Sequence, residues 1–200
     1  MPDSIFMPAG DHLDHPAKIM TLGHVYAQGK AADAGRVRES RTEYDAGIIQ
    51  DNTRWTRLIH ALNQGRKWSL KQLFAALDPL LAPGIALVVV PPHRAFQAFW
   101  PVRTLAQMLA ENGRIDATGC LVRHITIQRI VYGGPSTRAL HRQTIQVENP
   151  ERVEGRRVLL LDDIAKSGAS LVACREMLLG AGAEEVQAMA LGRVIVPDRV

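Results

Sequence analysis

Cysteine is nearly absent from this chain of 200 residues. Cys120 and Cys174 are too few for a disulfide framework and are not spaced as a CxxC metal knuckle. Both lie in apolar stretches, so buried free thiols are expected. Long hydrophobic runs are missing as well. The longest, Ile85 to Val90, stops at Pro91-Pro92, far short of the ~20 residues that span a bilayer. The opening stretch MPDSIFMPAGDHLDHP carries charges, prolines and histidines where a signal peptide needs an apolar core, and a soluble, cytoplasmic protein with no membrane partner is expected. No internal repeat or single-residue tract is visible. At 46% hydrophobic and 22% charged residues, wholesale disorder is excluded. Aromatics number ten, with no basic stripe interleaved among them, which weighs against a nucleic-acid surface. Lysine is scarce too, with 5 against 19 arginines in a net charge of +4.

That imbalance is informative. The planar fork of arginine binds phosphate bidentately. Residues 84–150 hold seven arginines against Glu111, Asp116 and Glu148. Such an excess suits a phosphate-rich ligand, nucleotide or nucleic acid, or else a solvated basic face. The length fits one domain or a domain with an appendage.

Residues 1 to about 50 are the least patterned; Lys18–Tyr26 and Tyr44–Gln50 are candidate short strands. His12, His15 and His24 are scattered there and read as surface residues. From Thr53 the pattern sharpens. Trp55, Leu58, Ile59 and Leu62 recur at helical spacing and stop at Gly65. Ser69 reads as the N-cap of a second helix through Leu70, Leu73, Phe74 and Leu77, ending near Pro79. After Pro83-Gly84, strands and helices alternate. IALVVV (85–90) is the kind of run buried on both faces of a parallel sheet. Pro101 opens a helix closed by Asn112-Gly113. Thr118–Ile127 holds one strand or a pair, and 132–137 is a Gly-rich loop. Strand 157–162, helix 169–179 and strand 186–191 complete a parallel α/β unit.

The chemistry lies in VLLLDDIAKSGASL, 158–171. A buried strand ends in Asp162 and Asp163, and a loop of small residues runs straight into a helix. In open α/β sheets, ligands bind beyond the carboxyl ends of the strands. A helix N-terminus there offers unpaired N–H groups to an anion. Gly168 lets the backbone turn tightly; Ser167 and Ser170 add hydroxyls, and Lys166 a charge. Two carboxylates so near a phosphate cannot bind it, and they suit vicinal hydroxyls or a divalent cation. Hydroxyls together with a terminal phosphate describe a phosphorylated pentose. A P-loop is excluded because GxxxxGK[ST] is absent, and a phosphoaspartate phosphatase because Asp-x-Asp is absent. A plain strand–turn–helix needs one capping carboxylate, not two.

The segment resembles the 5-phosphoribosyl 1-pyrophosphate (PRPP) motif of type I phosphoribosyltransferases, in which four apolar residues precede two acids and a Thr-Thr-Gly-Ala-Thr-like loop. The wider context is similar to the ComF/amidophosphoribosyltransferase-like branch. VVVPPHRAF (88–96) resembles its first strand and pyrophosphate loop, and Ile127-Gln128, Arg138, His141, Arg142, VEGRRVLLLDD and GAGAEEVQAMALGR follow in that branch's order. The resemblance covers about 84–194. It implies a type I phosphoribosyltransferase α/β fold with a mostly parallel sheet flanked by helices, a core at 84–200, and a hood at 1–83 that packs on the core and selects the acceptor.

Carried over by residue, the resemblance implies that Asp162 and Asp163 hold the ribose hydroxyls. Lys166, Ser167, Gly168, Ala169 and Ser170 would cradle the 5′-phosphate, while Pro92, His93 and Arg94, after Pro91, would face the pyrophosphate. A non-trans peptide is common in that loop, and Pro91-Pro92 permits one. Mg²⁺ would be bound mainly through PRPP, with no direct protein ligand. A mobile flap, 129–142, would offer Arg129, Arg138, His141 and Arg142, with Arg138 and Arg142 in catalytic roles alongside the two aspartates. Lys166 departs from the family's small hydroxyl residue, and the zinc module that often precedes ComF-type folds is missing.

The implied reaction is displacement of pyrophosphate from PRPP by a nitrogen nucleophile, a base or an amine. The protein's part is positioning and charge neutralisation, and a homodimer is compatible with that reading. Two other classes stay open: a PRPP- or nucleotide-sensing accessory protein without turnover, and a DNA-uptake-related role on the basic face, which is not favoured. Fold alone does not separate them.

Overall fold

The computed structural model describes residues 19–21, 24–26, 52–128 and 137–195. The candidate strand at 44–50, His12 and His15, and the flap residues 129–136 lie outside them. The apolar runs do become strands of a parallel sheet. In chain order these are β1 (Ile19–Thr21), β2 (His24–Tyr26), β3 (Ala86–Val89) and β4 (Ile115–Asp116). The short strands β5 (Leu121–Arg123) and β6 (Ile145–Val147) follow, then the long β7 (Arg157–Ala165) and β8 (Glu185–Ile195). The main sheet runs β1-β8-β7-β3-β4 with β2 also paired to β8, and all of its pairings are parallel. β5 and β6 form a separate antiparallel pair. The Thr118–Ile127 stretch thus supplies one strand, and its partner lies beyond 144.

Among the described residues five α-helices flank the strands: α1 (Asn52–Asn63), α2 (Lys67–Leu77), α3 (Pro101–Ala110), α4 (Arg138–Thr144) and α5 (Ala169–Gly180). Side chains alternate across a strand, and the two faces have separate cores. Leu87, Val89, Leu159, Leu161, Met189 and Leu191 pack under α1, α2 and α3. Ala86, Val88, Val158, Leu160, Ala188 and Ala190 pack under α5 and the β5–β6 pair. Trp55 locks α1 to the sheet: it is 3% exposed, and its indole N–H donates to the Leu191 carbonyl at 2.7 Å. None of the described helices is long and apolar enough to cross a membrane.

Two local expectations are corrected. Ser69 does not cap α2. Arg66 takes that place in extended backbone, and the buried Ser69 hydroxyl donates back to the Arg66 carbonyl at 2.6 Å from inside the first turn. A serine inside a first turn has the same local acceptor within reach as one before it, so sequence could not rank the two. The flap segment expected at 129–142 is also not loop throughout. Residues 138–144 form α4, with Thr137 accepting the Leu140 N–H at 3.2 Å as N-cap and His141 and Thr144 turned into the protein.

The topology fixes the site. β3 and β7 are parallel neighbours, Val89 beside Leu161, and the Val90 N–H donates to the Leu161 carbonyl at 2.8 Å. The Pro91–Arg94 turn, leaving the sheet after β3, therefore lies beside the last residues of β7, Asp162–Ala165, at the carboxyl ends of the two strands.

Candidate active site

The site is built at those strand ends. The last strand residues of β7 include both aspartates, and its pairing with β8 runs on through Ala165. The chain then reverses into α5 through Gly168, whose φ of 72° is left-handed. A side chain at that φ costs roughly 1–2 kcal/mol, which is why glycine stands there. Gly168 is itself the N-cap and offers no side chain to the first-turn amides of α5. Ser167 Oγ accepts from the Ala169 N–H at a long 3.4 Å. Lys166 and Ser167 are exposed, and Ala169 and Ser170 half-buried. Sequence reasoning expected these five residues as one cradle; Lys166 and Ser167 form the bend after β7, Gly168 is the N-cap, and Ala169 and Ser170 open α5.

Asp162 ties the carboxylates to that turn. Its Oδ1 accepts the Asp163 N–H at 2.9 Å, and its Oδ2 accepts the Ser170 hydroxyl at 3.3 Å. Burial first, and then the adjacent Asp163 carboxylate, lift the Asp162 carboxyl well above the usual carboxylate range; the two hydrogen bonds pull the other way. Asp163 Oδ1 accepts the Ile164 N–H at 2.7 Å. Cys174 lies one turn further along α5, buried and free, its thiol pushed up by burial and by Asp162. Cys120 is likewise buried and free, its thiol pushed up to about 11.

The neighbouring turn begins at the buried Pro91, with Pro92 and His93 half-buried and Arg94 exposed. The described peptide bonds are all trans, so the non-trans bond that Pro91-Pro92 permits is not formed. The turn is instead laced to the 123–127 strip. Phe96 N–H donates to the Arg123 carbonyl at 2.8 Å, Ile127 N–H to the His93 carbonyl at 2.9 Å, and Ala95 N–H to Thr126 Oγ1 at 3.0 Å.

Arg138 and Arg142 are not brought to these strand ends. Both are exposed on α4 and face Glu176 of α5, at 3.9 and 3.5 Å. Glu176 stands seven residues past Ala169, about 10 Å along the helix from its start. His141, expected on the flap, is buried at 2% exposure. Burial, and then the Arg123 guanidinium, hold its pKa down at about 4. Arg123 itself went unnoticed in the sequence. It is 2% exposed and reaches Pro92, Thr144 and His141 at once. Its sequence signal is a lone charge at an inward position of the apolar strip CLVRHI (120–125).

Among the described residues, no three His, Cys, Asp or Glu side chains converge as a metal cage.

Residues 87–194 match the sequence model of the phosphoribosyl transferase domain family. Among solved structures, a purine phosphoribosyltransferase from Pyrococcus horikoshii is similar at 18% identity and a TM-score of 0.36, covering 73% of this chain and 80% of that one. A hypoxanthine phosphoribosyl transferase from Trypanosoma cruzi is similar at 13% identity and a TM-score of 0.33, covering 73% and 71%. No curated protein matches.

Proposed function

The chain belongs to the phosphoribosyl transferase domain family, and we propose that its site takes a phosphoribosyl donor, binding Mg-PRPP and displacing pyrophosphate with a nitrogen nucleophile. One observation carries this reading. The Asp162 carboxyl and the α5 phosphate turn are joined by the Ser170 hydroxyl at 3.3 Å. A ligand filling both must carry hydroxyls and a phosphate a few bonds apart, as a ribose 5-phosphate does.

Each group then has a part. First-turn amides of α5, with Lys166, Ser167, Gly168, Ala169 and Ser170, take the 5′-phosphate. Asp162 and Asp163 accept the ribose hydroxyls, and hydrogen bonds from those hydroxyls favour the charged form that burial opposes. Charged, the pair stabilises the cationic sugar of the transition state more than the neutral ground state. Pro92, His93 and Arg94 hold the leaving pyrophosphate. Mg²⁺, bound through oxygens of PRPP, supplies further charge neutralisation there. Arg138 and Arg142 serve this reaction only by leaving Glu176, a step that exposed ion pairs oppose weakly. Residues 1–83 act as the hood that chooses the acceptor, and the order of motifs from VVVPPHRAF (88–96) to GAGAEEVQAMALGR favours the ComF-like branch.

The test is pyrophosphate release from Mg-PRPP against a panel of bases and amines. Acceptor-dependent release supports transfer. PRPP binding without release for any acceptor overturns transfer in favour of sensing. No binding at all leaves the DNA-linked role, which requires affinity that falls steeply with salt.

A further inference from the structure

We propose that Arg123 is a positioning residue for the pyrophosphate half of the substrate, tying the Pro91–Arg94 turn to α4 so that the turn keeps its shape only while α4 is docked. This rests on the PRPP reading of the site and adds a residue to it. Arg123 Nε donates to the Pro92 carbonyl at 2.6 Å, one terminal nitrogen donates to Thr144 Oγ1 at 2.5 Å, and the other meets His141 Nδ1 at 3.2 Å. One guanidinium thus spans a loop and a helix that no strand pairing joins.

The partners are themselves fixed. Thr144 Oγ1 donates to the Leu140 carbonyl at 2.7 Å, which leaves its lone pairs for Arg123. His141 accepts at Nδ1 only as a neutral ring, and the same burial that hides it keeps it neutral. The backbone of Arg123 closes the arrangement through its carbonyl, which takes the Phe96 N–H at 2.8 Å.

Packing alone does not require a charge there. Leu121, on the same strand and the same inward side, fills its place at 2% exposure without one. A buried guanidinium carries a desolvation penalty that a leucine avoids. Its return is directional: a planar fork holds three acceptors in one geometry, and one of them is the carbonyl at the bend of the turn.

The test uses two probes that occupy different halves of the site. Mg-pyrophosphate and ribose 5-phosphate are titrated calorimetrically into the full-length wild type, Arg123→Gln, Arg123→Lys and Thr144→Val. Arg123→Gln is expected to weaken Mg-pyrophosphate by about 10- to 100-fold, the scale of lost bonds from a charged donor, with ribose 5-phosphate held within about threefold. Arg123→Lys recovers part of the loss, and Thr144→Val shows the same split at about three- to tenfold. Equal weakening of both probes overturns the proposal, because a merely structural residue acts on the whole site; so does no weakening of either. If Arg123→Gln does not fold, Thr144→Val decides on the same split. A wild type that binds neither probe overturns the PRPP reading and the proposal together, whereas a wild type that binds both isolates the proposal.

Discussion

A carboxylate withdrawn from water next to a second carboxylate opposes folding when it is ionised, and Asp162 is in that position. Its raised pKa means the ionised form costs stability at neutral pH, a cost relieved as pH falls towards the ordinary 3.8. Asp162→Asn removes that charge and keeps an oxygen for the Asp163 N–H. The variant is expected to melt higher, by about 1 kcal/mol of added stability, and to bind Mg-PRPP about 10- to 100-fold more weakly. Thermal unfolding and titration read the two effects separately. His141 has the opposite sign. Its folded value of about 4 lies below the ordinary 6.5, so the unfolded chain takes up a proton that the folded protein refuses. Stability from this group is complete above pH ~6.5 and is lost as pH falls to ~4, by up to roughly 3 kcal/mol. Denaturant titrations between these pH values should show the slope, cleanest on the Asp162→Asn background, and His141→Gln should flatten it.

Among the elements, α5 and its approach are where backbone conformation does the most for the site. Gly168→Ala places a Cβ at φ 72°, so a loss of roughly 1–2 kcal/mol is expected in denaturant unfolding. Ribose 5-phosphate should weaken more than Mg-pyrophosphate, because the first-turn amides of α5 shift and the Pro91–Arg94 turn does not. This element was legible in the sequence because everything it needs is local: four apolar residues, two acids, small residues, then a helix. β3 and α3 were legible for the same reason, from an unbroken β-branched run and from Pro101 at a helix start. α4 was not. It is seven residues long, too short for a periodicity to show, and it is held by contacts with α5 and β6 rather than by propensity. The Arg123 cluster escaped notice because its partners stand 18, 21 and 31 residues away. Nothing in a linear pattern joins Pro92 to Thr144. Arg138 and Arg142 were visible as charges, but their turn towards Glu176 depends on how α4 docks.

Across the whole molecule, the division into a hood at 1–83 and a core at 84–200 meets a physical constraint. α1 and α2 share one continuous apolar core with β3, β7 and β8, and β1 and β2 extend the sheet along β8. A chain cut to 84–200 would lose α1 and α2 from that face and leave α3 alone over Leu87, Leu159, Met189 and Leu191. Such a fragment is expected to aggregate or to lose cooperative unfolding, read by size exclusion and calorimetry. A monomeric fragment with a sharp melt would show that the core stands alone. Trp55 reports on the same interface in the intact chain: Trp55→Ala removes a buried indole and its bond to Leu191, and about 3–5 kcal/mol should be lost.

The most direct measurement is a calorimetric titration of Mg-PRPP into the full-length protein, repeated with Asp162→Asn and Gly168→Ala. A donor site built on Asp162, Asp163 and the 166–170 turn predicts one saturable event with an affinity between micromolar and millimolar, weakened by each variant while circular dichroism shows both folded. A folded wild type that gives no saturable heat with Mg-PRPP, or variants that bind as tightly as wild type, would contradict it.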